Sequence, residues 1–472
     1  MKKVTLLLTA FYLFISCSSD SNEPIDPVNQ LTSCFELDKT MVFAGETIKA
    51  TNCSQNATTY FYEFGNGENS IEASPEFRFN QPGEYTVKLT ARDNTASPKV
   101  SEQKVTVISV DDNFMDVQNR AGENSVPIYG ELLNDNKIIF LEDYDDFNNS
   151  SIRINYVEFD IETKEITRKI LFNSNILNSG RAFIKEFSNG NRNIIFSSTL
   201  DNFMTNRNII VDANINVSAG TTNSARSYFG FIDDATTTLY YGISSDNHPL
   251  IEKRDQGGNI TEEKKYDTLE NSFVGGLVKT STGFMGYGGK YTLNTSSTSS
   301  SEFQNYEPLL FLFDNDLNLI SANSYTSNLK NVVINFNDLN GNFSIKELSN
   351  GNYVTYSHNE IRILDNSGTE LNSFEVEPKE RGIGRHGLTI IPNGFVISTL
   401  GFLEKYSNDG VLLTKLKTRA RYAPSLFVKD NKIYFVSQYT KREQVGNIGE
   451  LGVSKTFIGA VDFNLQPVSL TN

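Results

Sequence analysis

Short apolar runs alternate with turn residues along most of this chain, and no segment shows a sustained helical period. Between residues 33 and 108, runs of strand character lie at 34–40, 47–52, 59–64, 76–79, 83–92 and 99–108. From residue 126 onward, apolar runs come in pairs around tight-turn signals. The pattern therefore predicts an all-β protein in which a compact β unit precedes a larger, repeating region.

The repeating region, residues 126–472, contains seven tight-turn signals between paired apolar runs, at 134–135, 189–190, 234–235, 282–283, 350–351, 393–394 and 430–431. Asn-Gly and its relatives are the strongest short-range hairpin signal. A second hairpin follows each first one, so each unit has four strands in about 50 residues. This predicts a β-propeller with seven blades; six or eight blades are alternatives, because the turn spacing varies. A large β-sandwich is the runner-up.

The compact unit at 33–108 carries the turn YEFGNG at 62–67, then Pro75, GEYTV at 83–87 and Asp93. This pattern resembles the polycystic-kidney-disease-type (PKD) domain, and the resemblance implies an immunoglobulin-like sandwich. Tyr62 replaces the usual tryptophan, and Glu63 and Asn66 replace two turn aspartates. The sandwich prediction rests on the glycines and the alternating apolar positions, whereas cation binding by this turn is not expected.

The chain begins MKKVTLLLTAFYLFISC, with a basic start, an apolar run and a small residue before Cys17. This resembles the lipobox of bacterial lipoproteins, in which the cysteine is acylated and becomes the first residue. We therefore expect a signal peptide at 1–16, a flexible tether at 17–32 and a linker at 109–125. The alternative is an ordinary secretory signal with a chance cysteine.

The net charge of −15 disfavours nucleic acid and anionic lipid as partners. Loss of Lys2 and Lys3 with the signal would leave 40 basic against 57 acidic residues, or −17. Membrane association would then depend on the acyl chains at Cys17. In an oxidising compartment, strands folding back near residue 44 would pair Cys34 with Cys53 in a disulfide; two buried thiols are the alternative.

The sequence contains none of the short enzyme motifs tested, which were the nucleophile elbow, the His-Glu-x-x-His zinc motif, paired Cys-x-x-Cys and the phosphate loop. With 57 acidic residues, a glycosidase carboxylate pair is neither excluded nor located. Whether the protein is an enzyme stays open.

Four repeats place an arginine nine residues before a residue of their first turn signal, counted from Gly190, Ala235, Gly394 and Asp430; these arginines are Arg181, Arg226, Arg385 and Arg421. In a propeller this position lies at the inner rim of the top face, where the first strand of each blade begins. Guanidinium groups gathered there would attract carboxylate or sulfate. We extend this hypothetical ligand site to the adjacent His386 and Tyr422. The alternative is that each arginine pairs locally and fixes its own blade.

No metal or other cofactor is predicted with any specificity. The acidic loop of the first repeat offers Asp143, Asp145 and Asp146, which could hold calcium, but the spacing lacks an EF-hand pattern and a solvated acidic loop is the preferred interpretation. His248 and His358 fall in loops of the top face, where an exposed structural role is the simpler interpretation.

These patterns favour a lipid-anchored protein of the outer membrane or cell surface. Its propeller would recognise an extracellular polymer or an anionic ligand, with a glycan or a protein as partner. A polysaccharide lyase or hydrolase acting on an anionic glycan, and a protein–protein scaffold of an envelope complex, are the alternatives.

Overall fold

The chain divides into two compact units between Val110 and Asp111. The computed structural model describes residues 30–45, 47–81, 83–94, 97–108, 114–117, 123–133, 136–146, 151–173, 179–200, 203–223, 226–234, 236–293, 302–327, 334–335, 343–357, 360–376, 387–418, 423, 425–445, 449–468 and 470. Within these ranges every regular element is a β-strand, and no helix is long and apolar enough to cross a membrane. The predicted signal peptide lies outside the described residues.

The first unit is a sandwich of two sheets. Its strands are β1 Phe35–Leu37, β2 Met41–Phe43, β3 Thr47–Asn52, β4 Thr59–Glu63, β5 Asn69–Ser70, β6 Glu76–Arg78, β7 Gly83–Arg92 and β8 Lys99–Ile108. One sheet has the order β1-β3-β6 and the other the order β2-β8-β7-β4-β5. Alternate residues such as Ile48 and Ala50 of β3 and Val87 and Leu89 of β7 point inward to form one apolar core.

The first predicted strand, at 34–40, corresponds to β1, and β2 follows it directly but belongs to the other sheet. β1 pairs antiparallel with β3, whereas β2 pairs parallel with β8 in the opposite sheet. The simple hairpin expected around residue 44 is therefore wrong, because β2 leaves the sheet before the chain returns as β3. The pairing of Phe35 with Asn52 still sets Cys34 opposite Cys53, with Cα atoms 4.8 Å apart, and the predicted disulfide is confirmed.

The described residues of the second unit form seven sheets, numbered here as blades 1 to 7. Blade 1 contains β10 Glu123–Leu132, β11 Lys137–Asp146, β12 Ser151–Asp160 and β13 Ile166–Asn173; blade 2 contains β14 Ser179–Glu186, β15 Arg192–Leu200, β16 Phe203–Val211 and β17 Val217–Asn223; blade 3 contains β18 Arg226–Asp234, β19 Thr237–Ser244, β20 Pro249–Arg254 and β21 Ile260–Lys265.

The remaining blades continue in chain order. Blade 4 contains β22 Ser272–Lys279, β23 Phe284–Leu293, β24 Glu302–Phe313 and β25 Leu319–Ser324, with β26 Ile334–Asn335 added to β24; blade 5 contains β27 Phe343–Glu347, β28 Tyr353–Ser357, β29 Glu360–Leu364 and β30 Glu370–Glu375; blade 6 contains β31 Leu388–Ile391, β32 Gly394–Thr399, β33 Phe402–Ser407 and β34 Leu412–Lys417; blade 7 contains β35 Ser425–Lys429, β36 Lys432–Val445, β37 Gly449–Asp462 and β9 Phe114–Asp116.

The first strands of the seven described blades form a closed ring. β10, β14, β18, β22, β27, β31 and β35 contact one another in this order, and β35 also contacts β10. Such a ring of radially arranged, four-stranded sheets is a β-propeller. The all-β prediction of a sandwich followed by a propeller is therefore confirmed.

The ring is closed by a strand from the predicted linker. β9 pairs antiparallel with β37 and supplies the outer strand of blade 7. The structure therefore differs from the predicted linker at 109–125, which contains β9 and the start of β10. The physical reason is that β9 covers the edge of β37, which would otherwise expose unpaired backbone groups.

Alternating side chains of each sheet face the two neighbouring blades. In β11, Ile138 and Phe140 pack against blade 7, whereas Ile139 and Leu141 pack against blade 2. Near-continuous apolar runs such as residues 138–141 follow from this arrangement, because both faces of an inner strand are buried.

Candidate functional site

The predicted arginine site lies mostly outside the described side chains. Arg226 is the first residue of β18, at the end of the strand where the chain enters the blade. Arg181 belongs to β14, and only its backbone is described. Residues 385, 386, 421 and 422 lie outside the described residues. Only one of the four arginines can therefore be examined in its surroundings.

Arg226 is paired within its own blade. Its guanidinium contacts the carboxylate of Glu252, which is fully buried, and lies 2.7 Å from an oxygen of Glu263. Burial alone would lower the pKa of Arg226, but Glu252, Tyr228 and Glu263 together raise it above its usual value. Two carboxylates thus neutralise this arginine, which fits the alternative that it fixes its blade.

Buried glutamates with local partners recur in other blades. Glu360 is 3.0 Å from Arg362, and Arg362 also lies 3.0 Å from Glu370. Glu404 accepts a 2.6 Å hydrogen bond from the hydroxyl of Tyr406 and lies 2.6 Å from the ammonium of Lys415. Each pair lies within one blade, so these charges stabilise individual sheets and do not converge on one centre.

The central channel holds charged groups that the sequence reasoning missed. Glu131, Lys185, Asp233 and Lys346 are each the penultimate residue of their blade's first strand. Glu131 of blade 1 interacts electrostatically with Lys346 of blade 5 and Asp233 of blade 3. Because blades 1 and 5 are not neighbours in the ring, this pair faces across the channel. The available signal was a charged residue one position before the end of each of these four inner strands.

The channel groups are partly compensated. The ammonium of Lys185 lies 2.5 Å and 2.6 Å from the two carboxylate oxygens of Asp233, and the Tyr129 hydroxyl donates a 2.6 Å hydrogen bond to Glu131. Burial raises the pKa of Glu131 and lowers that of Lys346. With two carboxylates and two amines at one level, this part of the channel suits a polar or zwitterionic group better than a free anion.

Gly230 brings Tyr241 to the same region. Tyr241 belongs to the second strand of blade 3, and its ring lies over Gly230 of the innermost strand. A Cβ atom at position 230 would lie 2.6 Å from Cζ of Tyr241 and would clash with its hydroxyl. The glycine is therefore required for the tyrosine to reach Glu131, with which it interacts electrostatically.

One group of possible metal ligands occurs among the described residues. The ligand atoms of Asp246, His248 and Asp267 lie within 4.8 Å of one another near the surface of blade 3. The ammonium of Lys265 lies 2.7 Å from Asp246 and 2.9 Å from Asp267, so a cationic group already bridges the two aspartates. This arrangement explains the cluster without a metal ion.

The predicted acidic loop is only partly described. Asp143 and Asp145 lie in β11, and both already have interaction partners. The side chain of Asp146 and residues 147–150 lie outside the described residues, as does His358. The calcium prediction at these three aspartates therefore stays a prediction.

A repeated aspartate turn follows the third strand in six of the seven described blades. One carboxylate oxygen accepts backbone N–H groups two and four residues on at Asp212, Asp255, Asp314, Asp365 and Asp462, and two and three residues on at Asp160. Ser407 takes this place in blade 6. These carboxylates satisfy their own turns, so the repeat is structural.

Comparison with known proteins identifies the first unit. Residues 26–107 match the family model of the PKD domain. Collagenase ColA of Clostridium perfringens is 38% identical over 66 residues, which are 14% of this chain and 6% of the collagenase. The chain thus spans only a small part of that relative's length.

Two solved structures illustrate the two units. The PKD1 domain of the Vibrio cholerae metalloprotease PrtV is 30% identical and covers 16% of this chain and 95% of its own, with a TM-score of 0.15. The β-propeller domain of the Trilobed protease from Pyrococcus furiosus is 9% identical and covers 75% of this chain and 97% of its own, with a TM-score of 0.40. The family model shows that residues 26–107 of this chain are a PKD domain, and the sheet order and ring contacts described above show that the region after them is an all-β, propeller-like fold.

Proposed function

We propose that this protein is a lipid-anchored binding protein of the cell envelope, displayed on the outer membrane or cell surface. Acylated Cys17 would provide the anchor, the PKD domain would serve as a spacer, and the propeller would be the binding body. The observation that carries the proposal is the combination of a PKD domain with a closed ring of sheets in which the buried Glu252, Glu360 and Glu404 are already paired within their blades. Such a body is suited to recognition by its surface.

We propose an anionic extracellular polymer as the ligand and the top rim as its site. The support is the shared spacing of four arginines relative to their first turns in a chain of net charge −15. Because Arg226 is already neutralised by Glu252 and Glu263, we assign the larger share of binding to Arg181, Arg385 and Arg421. His386 and Tyr422 would complete the site.

Binding to immobilised uronate-rich, sulfated and neutral polysaccharides tests the ligand proposal. The double variant Arg385→Gln/Arg421→Gln should lose affinity for the anionic polymers several-fold, and binding of the unsubstituted protein should weaken with added salt. Arg92→Gln in the PKD domain is the control. Equal binding by the double variant would reject the arginine site.

The same incubations separate a binding protein from an enzyme. A binding protein retains the polymer without changing it. New reducing ends or unsaturated products would instead establish the hydrolase or lyase alternative. Retention of a protein from the envelope together with no affinity for any polysaccharide would favour the scaffold alternative.

The anchor is tested separately. Cys17→Ser should release the protein from membranes or block its processing, because acylation needs the thiol. Membrane fractions of cells producing each form provide the measurement. A variant that fractionates with membranes as the unsubstituted protein does would reject the lipoprotein assignment.

A further inference from the structure

The interface between blade 1 and blade 7 contains a layer of polar side chains beside its apolar core. Ile138 and Phe140 of β11 and Val157 and Phe159 of β12 pack there against Tyr434 and Val436 of β36 and Ile458 and Ala460 of β37. Each of the four strands carries a polar residue two positions beyond this apolar core, on the same face of the strand. These residues are Glu142, Asn155, Gln438 and Thr456. The apolar packing thus gives way to a polar layer on all four strands at once.

Strand register brings these side chains to one level. Glu142 pairs with Asn155 across β11 and β12, and Gln438 pairs with Thr456 across β36 and β37. β11 and β36 are the second strands of their blades, and each begins just after its blade's first turn. Glu142 is the sixth residue of β11 and Gln438 is the seventh of β36, so the two lie at similar distances from that turn. The Ser125 hydroxyl of β10 lies 2.7 Å from that of Thr456, which joins the two blades beside this layer.

Three oxygen atoms in the layer have no hydrogen-bond donor among the described residues. They are Oε2 of Glu142, Oδ1 of Asn155 and Oε1 of Gln438. Glu142 and Asn155 are fully buried, and Gln438 is 6% exposed. A buried polar atom without a partner destabilises the fold, and more so when it is charged, so three such acceptors together indicate a missing donor or cation.

The partners of Glu142 leave its second oxygen free for that role. Asn155 donates a 3.0 Å hydrogen bond, and Nε of Arg168 a 2.6 Å one, both to Oε1. Arg168 is itself fixed by a 2.8 Å hydrogen bond to the carbonyl of Val117. Oε2 of Glu142 is therefore the carboxylate oxygen that is available to a ligand within the polar layer.

We propose that Glu142, Asn155 and Gln438 bind a calcium ion that fastens blade 1 to blade 7. One carboxylate and two amide oxygens are hard ligands of the kind calcium takes in irregular geometry, whereas Mg²⁺ requires near-ideal octahedral geometry and dehydrates reluctantly. An acidic protein also concentrates cations around itself. This inference goes beyond the proposed function, because it concerns the closure of the ring and holds whichever ligand the rim binds.

Calorimetry of the full chain tests the proposal, since the protein has no tryptophan to report unfolding by fluorescence. After treatment with a chelator, Ca²⁺ at millimolar concentration should raise the transition temperature of the propeller by several degrees and leave that of the PKD domain unchanged. Mg²⁺, Na⁺ and K⁺ are compared at constant ionic strength, and we expect smaller shifts with each.

For the variant Gln438→Leu, the proposal and its alternative predict changes of opposite sign in the transition temperature. If calcium is bound, this variant loses the calcium-dependent shift and has a lower transition temperature than the parent in calcium. If the layer holds only water, the variant removes an unpaired buried oxygen and the transition temperature rises or stays the same without any response to calcium. The second outcome would overturn the proposal.

Gln466→Leu, an exchange of the same residue type in the turn after β37, is the matched control and should keep the full calcium response. A calcium shift of the same size in both variants would mean that the ion binds elsewhere, for example at acidic turns, and would also overturn the assignment. Glu142→Gln should abolish the shift as Gln438→Leu does, because the anionic ligand is lost.

Discussion

The PKD domain and the propeller fill their interiors with different kinds of side chain. The described core of the PKD domain consists of aliphatic and aromatic groups, and Thr90 is its only buried polar residue among those described. The described blades bury ten charged residues, which are Glu123, Glu142, Glu158, Arg192, Glu252, Arg254, Glu360, Arg362, Glu404 and Lys455. This difference in buried charge follows from the different number of interior layers in the two folds as well as from their sequences.

A sandwich has one interior layer between two sheets, whereas a propeller has a separate interface between each pair of neighbouring blades. The apolar part of the blade 1–blade 7 interface ends at Glu142 and Gln438, and the charges of blade 3 lie around Glu252. We infer that apolar packing stabilises the interior of each unit, whereas buried ion pairs contribute to the stability of the propeller alone. The following predictions test this difference.

The largest effect is expected from removing a buried carboxylate in the propeller. Glu252→Ala would leave Arg226 and Arg254 without their shared acceptor, at a cost of about 3–5 kcal/mol in the free energy of unfolding of the propeller. Denaturant titration followed by circular dichroism measures this loss. Glu263→Ala removes the more exposed partner of the same Arg226 and should cost less than about 1 kcal/mol. Equal losses in the two variants would contradict the distinction.

Reduction of the disulfide should act on the other unit alone. The Cys34–Cys53 bond joins residues 19 apart in sequence, and loop-closure entropy predicts that it contributes about 3 kcal/mol to the stability of the PKD domain. Calorimetry with and without reductant should show a lower PKD transition and an unchanged propeller transition. The Cys34→Ser/Cys53→Ser variant should behave as the reduced protein does and should not respond to reductant.

Filling the space at Gly230 should have a smaller effect, confined to the propeller. Gly230→Ala places a methyl group against the Tyr241 ring and should cost about 1–3 kcal/mol through overpacking. In the double variant Gly230→Ala/Tyr241→Ala, the added cost of the alanine at 230 should largely disappear, because the ring it meets is gone. Persistence of the full cost in that background would show that the backbone, not the tyrosine, requires the glycine.

The smallest effect is expected in the dependence on pH. In the propeller, hydrogen bonds from Ser367 and from backbone N–H groups hold the pKa of Asp365 below its usual value, and similar donors lower those of Asp160, Asp212, Asp255 and Asp314. A carboxylate with a depressed folded-state pKa stabilises the fold above its unfolded pKa, near 3.9, and this contribution is lost as the pH falls through the folded value.

Calorimetry between pH 5 and pH 2 should therefore lower the propeller transition more steeply than that of the PKD domain. Glu131 and Glu142, whose pKa values burial raises, act in the opposite direction and start to protonate at higher pH. Asp365→Asn should reduce the steepness at low pH. A parallel decline of both transitions would show that the aspartate turns contribute no net acid sensitivity.

Much of the fold could be predicted because its signals are local. Asn-Gly at 189–190 and at 350–351 forms the first turn of its blade, with Gly190 and Gly351 at φ angles of 77° and 84°. Such turns depend on a few neighbouring residues, since glycine adopts positive φ at little cost. The pairing of Cys34 with Cys53 was also predicted, although the hairpin it assumed is wrong, because β1 and β3 still pair with each other.

By itself, the sequence determined the all-β class, the blade hairpins and the PKD turn pattern, since each is specified by nearby residues. Tertiary structure decided which distant strands became neighbours. β9 closes blade 7, and Ser125 meets Thr456 across 331 positions of sequence. It also brought Glu131 opposite Lys346 in the channel and gave Arg226 two carboxylate partners. Contacts of this kind depend on the closure of the whole ring, so no local pattern of residues could specify them.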